Sequence, residues 1–172
     1  MIRAYQKLID RLKECGIMPN HRILDNEVSA DFKEAIKANL FLYQLVPPHD
    51  HRCNIAERAI QTFKAHFISI LCGVDNNFPI ALWCQLVPQT EMTLNMLRPS
   101  CLVPNVSAHA HLRGQHDYNA HPLAPLGCAV EMHVVPDVRE TFAPHSVSGY
   151  HLGTSLEHYR CYKIWIKKTR SE

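Results

Sequence analysis

Two carboxylates in the first third of the chain have surroundings that suit a divalent-metal site. Asp25 ends the short apolar run "HRIL", and Glu57 opens a long run with helical spacing. Magnesium prefers oxygen ligands and usually takes one or two protein carboxylates, which leaves positions for phosphate and water. Two such ions about 4 Å apart can activate a nucleophile and stabilise a leaving oxygen in phosphoryl transfer. Asp at a strand end and Glu in a first helical turn are also ordinary structural residues, so that interpretation stays open.

The surrounding pattern predicts the elements that would bring these carboxylates together. Apolar residues at helical spacing predict helices over 2–15, 28–39, 54–72 and 78–97, the last with a kink at Pro88. The run "HRIL" and the branched and aromatic run "LFLYQLV" are typical of strands, and the proline-rich "PPHDHRC" is typical of a loop. This α/β order can return the start of the helix at 54–72 to the end of the first strand.

Two of these helices carry a stripe that we expect to face the core. The stripe of the helix at 28–39 consists of Phe32, Ala35 and Ile36. The stripe of the helix at 54–72 consists of Ile55, Ala59, Phe63, Phe67 and Ile70.

The pattern changes at Arg98. Prolines become frequent, helical periodicity is lost, and short strand-like runs follow, namely "CAVEMHVV", "GYHLG" and "RCYKIWI". We therefore divide the chain into an α/β part at 1–97, an extended linker at 98–125 and a small β-rich C-terminal module at 126–172.

Composition excludes several classes of protein. Of the 172 residues, 47% are apolar and 20% are charged, which is typical of a globular chain. The net charge is only +2, so a basic surface for nucleic acid would have to be local. The seven cysteines form no CxxC pair, which favours a reducing intracellular compartment over a disulfide framework. No apolar run is long enough to span a membrane, so we expect no membrane partner.

The order of motifs resembles the integrase core of long-terminal-repeat retrotransposons, most closely the copia-like type. The strand-end "LDNE" is followed by "VPPHDHRCNIAERAIQTFK", and then by "FPIALWCQLVPQTEMTLNMLRPS". The later runs "PLAPLGCAV" and "SGYHLGTSLEHYRCYKIWI" resemble the segment that follows the core in those polyproteins. The resemblance implies an α/β fold in which a partial RNase H-like core precedes the linker and the β-rich module.

The resemblance also implies a catalytic and metal-binding role for Asp25 and Glu57, with Mg²⁺ or Mn²⁺ as the cofactor. The spacing between them is a few residues shorter than usual, and Glu27 and Ile55 replace glycines of the motif. The first catalytic Asp of the family precedes the helix matched by residues 2–15, so the sequence looks N-terminally truncated. We therefore expect weak metal binding and no strand transfer by this chain alone.

The family further implies DNA partners, namely retroelement ends and target DNA, and a nuclear location; a homo-oligomer is compatible with it. One and two turns on from Glu57, the same helix face carries Gln61 and Lys64. Lys64 is the first choice for a phosphate contact and Arg58 the second. Lys167 and Lys168, in a basic and aromatic C-terminal run, are further candidates. A solvated helix face and a charged strand end explain the same residues.

Other reactive residue types give weaker signals. The loop histidines His49 and His51 with Cys53, and the pair His109 and His111, lack the closed spacing of a structural zinc site, so we expect no metal there. Cys53, the cysteine nearest the expected carboxylates, belongs to no activating motif, so we expect it to be inert. Two alternatives to an integrase-derived segment remain, a non-catalytic DNA-binding or protein-interaction remnant and an unrelated α/β domain with structural carboxylates.

Overall fold

A computed structural model describes residues 2–24, 28–46 and 55–166. The chain is mixed α/β and divides into two compact units, Met1–Thr62 and Phe63–Glu172. The motif-based division at residues 97 and 125 stays a prediction.

The first unit is built on a strand–helix–strand arrangement. Helix α1 (Ile2–Glu14) precedes strand β1 (His21–Leu24), helix α2 (Ala30–Ala38) and strand β2 (Leu42–Leu45). The strands are parallel and run in register from the pair His21–Leu42 to the pair Leu24–Leu45. These four elements confirm the helices and strands predicted for this part of the chain.

The core of the first unit is small and lies on one face of this two-stranded sheet. Ile9 of α1, Ile36 of α2 and Phe41 are its buried members, and Leu24 and Tyr43 pack against them. The predicted inward face of α2 is confirmed, because Ile36 is buried and its neighbours Phe32 and Ala35 are partly buried. The N-terminus of α2 is capped by Ser29, whose Oγ accepts a hydrogen bond of 3.4 Å from the backbone N–H of Phe32.

The opposite face of the sheet is exposed and carries two large apolar side chains. Side chains alternate along a strand, and the register places Ile23 and Leu42 on the face that does not carry Leu24 and Tyr43. Ile23 is 56% exposed and Leu42 is 71% exposed. A parallel sheet is ordinarily covered on both faces, so this bare face distinguishes the first unit.

Helix α3 (Ile55–Cys72) crosses the division between the units and has no fully buried residue. Phe63, Phe67 and Ile70 are partly buried, as the predicted stripe requires. The stripe was wrong at the start of the helix, where Ile55 is 65% exposed and Ala59 is also exposed. Periodicity predicts which side chains share a face, but it cannot predict where along the helix a partner element ends.

The second unit joins helices to an antiparallel sheet. A 3₁₀ turn at Ile80–Leu82 leads into α4 (Trp83–Leu97), which continues through Pro88 and is followed by the short α5 (Ala108–Arg113). The sheet has the order β3–β4–β5, formed by Ala129–His133, Ser146–Thr154 and Tyr162–Ile166. The three predicted strands are confirmed. The stretch 98–125, for which the sequence predicts an extended linker, contains the short helix α5.

The core of the second unit combines apolar packing with a paired amide. Phe78, Leu86 and Leu126 are its buried apolar members. Gln89 of α4 donates from Nε2 to the carbonyl of Ala124 (3.0 Å) and accepts at Oε1 from the N–H of Thr154 (2.9 Å). Residues 122–125 are therefore fastened between α4 and β4. Residues 122–125 form no helix or strand, so the sequence has no periodic pattern there that could have predicted this contact.

Candidate metal centre and nucleic-acid interface

The predicted metal residues follow two neighbouring strand ends of the first unit. Leu24 and Leu45 form the last pair of the parallel sheet, and the N–H of Val46 donates to the carbonyl of Leu24 (2.8 Å). The chain after β1, which begins with Asp25, and the chain after β2, which leads to Glu57, therefore leave the sheet at the same edge. Carboxyl ends of parallel strands are where α/β folds place their ligand sites.

Of the two carboxylates, the structure describes only Glu57. Glu57 lies in the first turn of α3 and is partly buried. Asp25 lies outside the described residues, as do Asn26 and Glu27 and the motif residues from Pro47 to Asn54. Among the described residues, no group of three or more His, Cys, Asp or Glu side chains is arranged to hold a metal ion. The Mg²⁺ or Mn²⁺ site stays a prediction.

The predicted DNA contacts on α3 are accessible. Arg58, Gln61 and Lys64 are all exposed. The backbone carbonyl of Arg58 accepts a 2.8 Å hydrogen bond from the Thr62 hydroxyl. The Arg58 side chain remains exposed at the surface, so accessibility does not separate Arg58 from Lys64.

The second set of predicted contacts follows β5 in the sequence. Lys167 and Lys168 fall outside the described residues. Arg160, earlier in the same basic run, donates from Nε to the carbonyl of Asn119 (3.0 Å) and from Nη2 to its Oδ1. Its guanidinium also lies 5.7 Å from the ring centroid of Tyr159. Arg160 thus has a structural role in fastening residue 119.

The histidine pair chosen from the sequence is divided between two environments. Nδ1 of His111 lies 2.6 Å from Oγ of Ser100, and that Oγ accepts from the N–H groups of Leu102 and Val103. Ser100 is 7% exposed, and its Oγ stabilises the turn at residues 100–103. His49, His51 and Cys53 lie outside the described residues.

His109 instead faces a histidine that sequence reasoning missed. The ring of His109 lies 5.8 Å from that of His116, which in turn lies 4.7 Å from the ring of Tyr118. Burial lowers the pKa of His109, and the neighbouring positive charges of His116 and Arg113 lower it further, despite an opposing hydrogen bond to the backbone of Gly114. His109 is therefore a neutral imidazole at pH 7. The end of α5 and a turn separate His109 from His116 in the sequence, so their spacing matches no motif that could have predicted this contact.

No model of a known protein family matches the chain, and no curated protein matches it significantly. None of the helices in the described part of the chain is long and apolar enough to cross a membrane. The six cysteines within that part are all free of disulfides.

Proposed function

We propose that this chain is a retrotransposon integrase-derived segment that binds DNA in the nucleus and is associated with DNA integration. The ordered motif series around Asp25 and Glu57 supports a copia-like, RNase H-like origin. The observation that carries the proposal is the parallel pair β1–β2, whose last residues are Leu24 and Leu45. The segments that contain Asp25 and Glu57 both follow this edge of the sheet in the sequence, and such an edge is where α/β folds place ligand sites.

In this proposal Asp25 and Glu57 hold Mg²⁺ or Mn²⁺ together with phosphate oxygens of DNA. Two carboxylates are few for a cation that gives up its water reluctantly, so DNA oxygens must complete the coordination. Metal retention should then depend on DNA. Strand transfer needs a further carboxylate, because in a two-metal site one ligand bridges both ions. Lys64 and Arg58 neutralise phosphates along α3, and Lys167 and Lys168 do so after β5.

The experiment measures Mn²⁺ binding by electron paramagnetic resonance, with and without a duplex carrying a retroelement end. We expect duplex DNA to increase Mn²⁺ retention at least about tenfold, and Asp25→Asn or Glu57→Gln to abolish the increase. Glu34→Gln, which neutralises an exposed carboxylate on α2, is the matched control. DNA binding by anisotropy is read on the same samples.

Two results would contradict the metal site. Mn²⁺ retention that ignores DNA, or that survives Asp25→Asn and Glu57→Gln equally with the control, would exclude this carboxylate pair. DNA binding that persists without any Mn²⁺ effect would instead identify a non-catalytic DNA-binding remnant.

A further inference from the structure

A polar cavity in the second unit has no part in the proposed integration chemistry. Its volume is about 290 Å³, and it lies between the end of α4 and the segment that contains α5. This is at the small end of ligand pockets, so the cavity suits one ring system rather than a large ligand. Its lining residues include Met96, Asn105, His109, Gln115, His116 and Tyr118.

Backbone hydrogen bonds fix the walls of the cavity. The N–H of Ser100 donates to Val106 (2.8 Å), which closes the loop that carries Asn105. Ser107 caps α5 by accepting at Oγ from the N–H of Ala110 (3.1 Å). Gly114 ends the helix with φ of +83°, a conformation that favours glycine, and turns the chain towards His116. The cavity is thus built into the backbone rather than left between mobile side chains.

Two rings meet at a corner of the cavity. His116 and Tyr118 lie 4.7 Å apart with an interplanar angle of 75°. Nε2 of His116 lies 2.9 Å from the carbonyl of His121, to which it donates, and the Tyr118 hydroxyl donates to Sδ of Met96 (3.8 Å). Tyr118 is nevertheless 58% exposed and lines the cavity, so it is accessible to a ligand there.

The remaining polar groups are neutral and can recognise the edge of a planar ring. Asn105 and Gln115 are exposed, and each amide offers a donor beside an acceptor. Such a pair matches the adjacent donor and acceptor on a base edge. His109 is nine-tenths buried and neutral for the reasons given above. No Lys or Arg lines the cavity, which argues against an isolated anion as the ligand.

We propose that this cavity binds a single unpaired nucleobase, stacked on Tyr118 and hydrogen-bonded by Asn105 and Gln115. Unpaired bases are commonly recognised by aromatic or histidine rings together with polar contacts to their edges. Arg113, exposed at the end of α5, is our candidate for a contact with the attached phosphate. The negative charge of Asp117 would oppose binding of a phosphate. Its carboxylate, however, accepts hydrogen bonds from the N–H groups of Asn119 and Ala120 within its own turn. The inference does not rest on Asp25 or Glu57.

The test uses the full chain and a short single-stranded oligodeoxyadenylate with 2-aminopurine at its centre, in EDTA so that the metal site is silent. Stacking on Tyr118 should quench the 2-aminopurine emission on binding. Loss of one stacking platform costs about 1–3 kcal/mol, so Tyr118→Ala should raise the Kd at least about fivefold. Gln115→Ala, at an exposed position, should raise it less and keeps the test valid if Tyr118→Ala fails to fold.

Phe142→Ala is the control, since it removes a fully exposed aromatic ring outside the cavity and should leave the Kd unchanged. Unchanged emission on binding would overturn the proposal. So would equal Kd values for Gln115→Ala, Tyr118→Ala and the control.

Adenosine monophosphate and a duplex of the same sequence serve as competitors and distinguish the source of the base. Competition by the nucleotide that is lost in Tyr118→Ala would support a free nucleotide. Competition by unlabelled single strand alone would support an unpaired base within a strand. The duplex competition is run in a chain in which Lys64, Arg58, Lys167 and Lys168 are replaced by alanine, so that the proposed phosphate contacts outside the cavity do not contribute. Equal competition by duplex and single strand in that chain would overturn the proposal, because a paired base cannot enter the cavity.

Discussion

Arg22 of the first unit and Gln89 of the second are both polar side chains drawn into a core, but their partners differ. Nε and Nη2 of Arg22 are buried and have no hydrogen-bond partner among the described residues. The guanidinium lies 4.9 Å from the ring centroid of Phe41, which gives a cation–π contact in place of hydrogen bonds. Both ends of the Gln89 amide are hydrogen-bonded. Unpaired buried groups cost free energy. Among the described residues the first unit has three such side-chain atoms, Oη of Tyr5 and Nε and Nη2 of Arg22, and the second unit has one, Nε2 of His151.

The apolar parts of the two units differ in the same direction. Each core cluster has three buried apolar residues, but five partly buried side chains pack against the first and seven against the second. The first cluster lies on a two-stranded parallel sheet whose other face is exposed. The second unit closes its core between α4 and a three-stranded antiparallel sheet. Few strands and little buried area give low independent stability. We infer that the second unit dominates the measured unfolding free energy.

The largest expected effect is at Leu86, which is fully buried in the second core. Leu86→Ala should lower the unfolding free energy by about 2–5 kcal/mol, because it removes buried apolar contacts and leaves a cavity. Leu97→Ala makes the same change in the same helix at a residue that is 75% exposed, and should cost less than about 0.5 kcal/mol. Chemical denaturation of both variants measures the difference. Equal costs would refute the assignment of the main core to the second unit.

Residues within regular elements were predictable, and contacts between distant segments were not. The helical spacing within α2 identified Ile36 as buried, because local geometry dictates which side chains share a face. The pairing of Gln89 with Thr154, and of His109 with His116, depends on tertiary packing of segments without periodicity. The segment from 98 to 125 shows this limit most clearly, because it supplies α5 and most of the cavity lining.

The next largest expected effect is a pH dependence of the unfolding free energy, and it arises from a histidine of the second unit. His151 of β4 is 1% exposed, and its Nδ1 lies 3.1 Å from the carbonyl of Pro125. Burial lowers the pKa of His151 below its usual value near 6.5, against two backbone hydrogen bonds that raise it. The unfolded chain therefore takes up a proton first as the pH falls. Stability is fully present above about pH 6.5 and is lost as the pH falls from there towards the folded pKa.

His151→Asn keeps a donor near the Pro125 carbonyl but does not titrate. We expect the fall in unfolding free energy between pH 7 and pH 5 to become shallower in this variant. The control is His133→Asn, which replaces an exposed histidine of β3 and should leave the slope unchanged. Part of the slope should survive, because burial also lowers the pKa of His109. A slope identical in the wild type and in both variants would show that His151 is solvated, contrary to the structure.

The smallest expected effect tests the bare face of the first unit. Ile23→Thr replaces a 56% exposed residue on the open side of β1 and retains a β-branched side chain that suits a strand. Its cost should stay within about 0.5 kcal/mol, as for other surface changes. Ile36→Ala, in the covered core of the same unit, should instead destabilise that unit, and hydrogen exchange in α2 is the measurement that separates the two. If Ile23→Thr lowered protection in α2 as much as Ile36→Ala, the face would be covered in solution, and the contrast between a one-sided and a closed core would no longer hold.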